Sequence, residues 1–140
     1  MSGGDPSRER PVLVTGAAGF VGSALVRDLA ADCELWATDR VQPETGGGAA
    51  RAAQADICRP LEECLPELPG CTVIHTAASM GGDDDALWRV NVTGTLNVLR
   101  WARRQSAARI VFFSSGGVYP YTAGRAHDEL EGCGNLVRVV

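Results

Sequence analysis

"VTGAAGFVG", Val14 to Gly22, joins an apolar β-branched run to an amphipathic segment through glycines at 16, 19 and 22. The run before it, "PVLVTG", reads as a short buried strand ending in glycine. The segment after it, Gly19 to Ala31, reads as a helix with Val21, Ala24, Leu25 and Leu29 on one face. Between a strand and a helix, G-x-x-G-x-x-G spacing has a physical use. Gly16 permits a tight turn, Gly19 lets backbone approach a pyrophosphate, and Gly22 lets the helix pack on the strand. The helix N-terminus then presents free N–H groups to phosphate charge. The alternative is a plain glycine turn.

Working outward, "ELWATD" predicts a second strand that ends at Asp39. A carboxylate there can accept from both hydroxyls of an adenosine ribose and repel a 2′-phosphate. That favours NAD over NADP, while Arg40 beside it works in the opposite sense. The alternative is that Asp39 is an exposed loop residue. Residues 41–50 read as a flexible connection, "RAAQAD" as a third strand, and "RPLEECLPEL" as a short helix with Pro60 in its first turn. "CTVIHTAA" is a fourth strand, apolar enough for a sheet covered on both faces.

Asp83, Asp84 and Asp85 open the longest expected helix, where the dipole favours anions. Its apolar face runs through Leu87, Val90, Val98 and Trp101, with Gly94 allowing close approach to the sheet. Arg100, Arg103 and Arg104 fall at its C-terminal end. "ARIVFF" is the fifth strand. Strands alternating with helices predict an α/β fold with a parallel, doubly wound sheet in order 3-2-1-4-5. Residues 1–10 are a flexible lead and 121–140 a poorly ordered tail, in which "NLVRVV" suggests one further short strand.

The composition narrows the class. At 140 residues the chain is one domain by length, and 45% hydrophobic with 21% charged residues is globular. All 13 basic residues are arginine, and the net charge of −4 argues against a nucleic-acid surface. No apolar run approaches the roughly 20 residues that span a bilayer, so no membrane partner is expected. The cysteines at 33, 58, 64, 71 and 133 lack C-x-x-C spacing and read as reduced thiols of a cytoplasmic protein, not as a metal site. His75, inside "VIHTAA", is expected to be a buried residue held by hydrogen bonds rather than a catalytic one. Asn91 is a poor helix former in mid-helix, which points to a polar task.

Together these motifs resemble the extended short-chain dehydrogenase/reductase family of the NAD-dependent epimerase/dehydratase type. "TGAAGFVG" fits its T-G-x-x-G-x-[IV]-G turn, and "SSGGVYP" fits its S-[ST]-x-x-V-Y-[GP] signature. The resemblance implies an incomplete Rossmann-like domain and NAD as cofactor, with NADP less favoured. It places Gly16, Gly19, Phe20, Val21, Gly22, Asp39 and Arg40 around the adenosine and pyrophosphate. Asp56 and Ile57 of "ADI" would meet the adenine. Thr76, Ala77, Ala78 and Ser79 of "HTAAS", Asn91 of "VNVTGT" and Ser114 would line the rest. The implied substrate is a small molecule, most often a nucleotide sugar.

By the same resemblance, Ser115 is catalytic and binds the substrate oxygen. The family's base is the tyrosine of Y-x-x-x-K, and this chain contains no lysine. Arg125 stands four residues beyond Tyr121, but proline and glycine in "YPYTAGR" deny the pair a rigid helix. The expectation is therefore the cofactor-binding N-terminal portion of such an enzyme, truncated or frame-shifted near residue 130 and inactive by itself. The rival expectation is a non-catalytic dinucleotide-binding module.

Overall fold

The computed structural model describes residues 10–46 and 50–115. The expected lead, the "NLVRVV" strand and the Tyr119, Tyr121 and Arg125 group lie outside the described residues.

Five short strands form one parallel sheet in the order β3-β2-β1-β4-β5, as the alternation predicts. They are β1 Val12–Thr15, β2 Leu35–Asp39, β3 Arg51–Gln54, β4 Thr72–His75 and β5 Arg109–Phe112. The register aligns Thr15 with both Thr38 and His75, and Thr38 with Ala53. Residues that leave the carboxyl ends of β1, β2, β3 and β4 therefore emerge side by side.

Each face of the sheet carries its own core. On one side Val14, Leu35 and Ala37 pack with Ala17 and Val26, covered by helix α1, Phe20–Leu29. On the other, Leu13 and Val73 pack with Leu61, Leu65, Val98, Trp101 and Ala102. Val98, Trp101 and Ala102 have the i, i+3, i+4 spacing of one helical stripe, on helix α3, Thr95–Arg104. Beyond α3, Ser106 takes a left-handed φ of 51° and Ala107 donates back to the Ala102 carbonyl, which closes the helix end.

Four details differ from the sequence reading. The buried stripe of α1 is Gly22 and Val26, with Leu25 and Leu29 half-buried, while Val21 points to solvent. The expected helix after Pro60 is a single 3-10 turn, Leu61–Glu63, because Pro66 leaves no room for more. The long helix is not uniform: α2, Asp84–Trp88, passes through a π-helical turn, Arg89–Gly94, before α3. Gly94 does admit a close neighbour, but that neighbour is Ile57 rather than the sheet, and a Cβ there would lie 2.7 Å from its Cδ1.

β5 is the least covered strand. Ile110, Val111, Phe112 and Phe113 are all exposed, so both its faces show apolar side chains.

Candidate functional site

The glycine turn is held from three sides. Gly16 adopts φ +71°, and a Cβ on it would meet the Ala77 nitrogen at 2.6 Å. Its value is thus close packing against the end of β4 as well as a tight turn. Gly22 packs against the turn itself, since a Cβ there would stand 2.1 Å from the Gly16 oxygen. Helix α1 starts after Gly19 with no side chain capping it. Its first N–H groups therefore face the carboxyl edge of the sheet, where a helix favours negative charge.

Asp39, at the end of β2, is tied to this turn. One carboxylate oxygen accepts from the Ala18 N–H at 3.1 Å and the other from the Val41 N–H at 3.4 Å. Backbone bonds reinforce the link, Ala17 donating to the Thr38 carbonyl and Ala55 to that of Asp39. Next to it, Asp56 accepts from the Cys58 N–H at 2.9 Å in a short turn, while Asn97 donates to the Ile57 carbonyl at 2.9 Å. Burial first, and Asp56 second, push the Cys58 thiol up, which disfavours its thiolate at neutral pH.

Beyond β4 the chain is fixed by side chains. The Thr76 hydroxyl donates to the Thr15 carbonyl at 2.7 Å. The Asn91 amide makes a two-point bond to the backbone of Ser79: it accepts from Ser79 N–H at 2.8 Å and donates to the Ser79 carbonyl at 2.9 Å. This is the polar task of a mid-helix asparagine.

These segments enclose one cleft of about 200 Å³ along the carboxyl edge of the sheet. Of the residues singled out in the sequence, Gly16, Gly19, Asp39, Arg40, Asp56, Ile57, Thr76, Ala77, Ala78 and Ser79 line it. Ala55 and Val90 line it as well; the sequence marks Val90 only as part of an apolar helix face and Ala55 not at all, although each directly precedes an expected site residue. The others stand apart from the lining. Phe20 is 96% exposed, Val21 faces solvent, Gly22 lies beneath the turn, and Asn91 acts through Ser79. Ser114 and Ser115 are exposed at the end of β5.

His75 is buried to 1% and contacts the Thr15 hydroxyl through Nδ1 at 2.6 Å and that of Thr95 through Nε2 at 3.0 Å. Desolvation lowers its pKa, so it is neutral, as expected of a structural histidine. Among the described residues, no cluster of three or more His, Cys, Asp and Glu is arranged to hold a metal, and no helix is long and apolar enough to cross a membrane.

Comparison with known proteins agrees with this geometry. A probable dTDP-glucose 4,6-dehydratase of Sinorhizobium fredii is 36% identical over 111 residues, 66% of this chain and 31% of that protein. Sterol demethylase protein B of Methylococcus capsulatus is 36% identical over 126 residues, 82% of this chain and 38% of that protein. The chain thus spans about a third of the length of these curated relatives. The solved structure of MoeE5 in complex with UDP-glucose and NAD superposes with a TM-score of 0.67 at 33% identity, over 81% of this chain and 39% of that one. Residues 12–135 match the model of the NAD dependent epimerase/dehydratase family, and the chain belongs to that family.

Proposed function

We propose that this chain binds NAD in the cleft and forms the cofactor-binding portion of an epimerase, dehydratase or dehydrogenase acting on a small molecule, a nucleotide sugar by preference. The observation that carries the reading is the convergence of the glycine turn, Asp39, the Asp56–Ile57 turn and the Ala77–Ser79 rim on one cleft. The residues present fit such a group. Gly16 and Gly19 leave backbone bare at the open end of α1, where a pyrophosphate would be stabilised. Asp39, fixed by Ala18, is set to accept from ribose hydroxyls, and small Ala77 and Ala78 leave room for a flat ring. When bound, the nicotinamide supplies the hydride acceptor or donor. The chain's own part is to hold it, to keep its adenosine end fixed and to present Ser115 at the sheet edge as a hydrogen-bond partner for a substrate oxygen. MoeE5 was solved with NAD and a nucleotide sugar, which supports both halves of the proposal.

Calorimetric titration of the chain with NAD and NADP tests it. Binding of NAD with clear preference over NADP is expected, and no binding of either would end the proposal. A second reading, a non-catalytic dinucleotide-binding module, is favoured by one specific fact: the 140 residues contain no lysine to pair with a catalytic tyrosine. Hydride-transfer assays on the same protein separate the two.

A further inference from the structure

His75 does not line the cleft, yet its ring is held at both nitrogens. The Asn91 carbonyl can only accept a hydrogen bond, so the Thr95 hydroxyl, 2.8 Å away, donates to it. With its one hydrogen committed, Thr95 Oγ1 must accept from His75 Nε2 at 3.0 Å. Nε2 therefore carries a proton, and in the neutral ring that burial favours Nδ1 accepts from the Thr15 hydroxyl at 2.6 Å. The result is one directed chain from Thr15 through His75 and Thr95 to the backbone of Asn91.

That chain ends on the π-helical turn. The Thr95 N–H bonds to the Val92 carbonyl, not to that of Asn91 four residues back, and the Thr95 hydroxyl takes the Asn91 carbonyl instead. From this widened turn the Asn91 side chain makes its two bonds to Ser79 on the rim of the cleft. His75 also reaches the neighbouring strand: its carbonyl accepts from Phe113 N–H, and the Phe112 ring lies 5.6 Å from the imidazole.

We propose that His75 is a positioning residue for the cleft, which acts through Thr95 to hold the π-helical turn so that Asn91 clamps Ser79. The functional part rests on the reading of the cleft as an NAD site. A histidine that only filled space in the core would not fix the direction of the Thr95 hydroxyl, and its proton would have no preferred nitrogen.

The test uses the full chain in three forms: unaltered, Thr95→Val, which keeps the shape without the hydroxyl, and Thr95→Ser, which keeps the hydroxyl. Nitrogen-15 NMR of the unaltered chain should find the His75 proton on Nε2. In Thr95→Val, amide exchange of Ser79 should quicken about tenfold or more and NAD should bind about tenfold more weakly. In Thr95→Ser both should stay within about twofold. Ser79 exchange is read without NAD, so a chain with a protected Ser79 amide that binds no NAD would sink the cofactor reading and leave the relay standing. A proton on Nδ1, or wild-type Ser79 exchange and NAD affinity in Thr95→Val, would overturn the inference. The proton position needs no variant, so it decides even where Thr95→Val does not fold.

Discussion

The hydroxyl of Thr15 and Nδ1 of His75 stand 2.6 Å apart on adjacent strands, both side chains fully buried. Protonating the ring would replace the acceptor that Thr15 requires with a second donor, in a place water does not reach. Burial accordingly holds the His75 pKa below its ordinary value. The sign follows: below about pH 6.5 the unfolded chain binds a proton that the folded one refuses. The His75 contribution is complete above that pH and is lost as pH falls, at up to about 1.4 kcal/mol per pH unit, until the folded ring itself protonates. Urea unfolding at pH 7.5, 6.5 and 5.5 should show this loss, and a His75→Gln variant should lose less over the same window.

Asp39 should set the choice between dinucleotides. Replacing it with Ala removes both the acceptor for ribose hydroxyls and the charge that opposes a 2′-phosphate. NAD affinity should fall about tenfold, with the NAD preference over NADP narrowed. Calorimetry with both cofactors on both proteins reads it directly. An unchanged ratio would make Asp39 a bystander that merely ties down Ala18.

Two glycines with the same backbone sign should behave differently. Gly16 and Gly70 have φ of +71° and +70°, but an added Cβ at Gly70 meets nothing within 4 Å, whereas at Gly16 it strikes Ala77 backbone. Gly70→Ala should cost about 1–2 kcal/mol, the left-handed strain alone. Gly16→Ala should cost about 3 kcal/mol or more, because backbone atoms of two strands must also part. Chemical unfolding of the two variants measures the gap.

Ser106 carries the left-handed strain at which α3 closes, at an exposed position where glycine would make the same turn without it. Ser106→Gly should therefore raise stability by about 0.5–1 kcal/mol, the relief of strain less the added freedom of the unfolded chain. A lower thermal midpoint would contradict this account of the helix end.

The 140-residue chain by itself should transfer no hydride. Abstracting a proton at neutral pH requires a base, and an unperturbed tyrosine, with a pKa near 10, is almost wholly protonated there. Ser115 can orient a hydroxyl but does not ionise usefully alone. Nicotinamide absorbance with purified protein, nucleotide sugars and simple alcohols is the assay. Turnover that vanished in a Tyr121→Phe variant would refute it.

How far the sequence reached differs by element. Four of the strands were legible because each holds a brief apolar run feeding a glycine or a polar residue. The fifth, β3, "RAAQ", was legible mainly from the Asp56 motif after it, and the crossover rule then orders all five. Asp39 and the glycines were legible because their spacing along one strand-turn-helix unit is short. The π-helical turn was not, because its cause lies across the fold: Thr95 meets His75, a partner 20 positions away that no local pattern reveals. Ala55 and Val90 escaped for a related reason, since an apolar side chain on a cleft wall leaves the same trace in sequence as one in the core. The true stripe of α1 is hidden in the sequence because Gly22, without a side chain, carries no apolar signal and yet packs against the Gly16 backbone.

A helical turn with one residue more than its neighbours is also the mark of an insertion. A lineage that deleted a single codon between Arg89 and Gly94 could return this turn to plain α-helix, with α2, α3 and the buried tryptophan kept nearly in place. Asn91 would then swing away from Ser79 with every glycine and carboxylate of the cleft still in place. Within this fold, such a deletion would be a route to a loosened site that no inspection of the site's own motifs would detect.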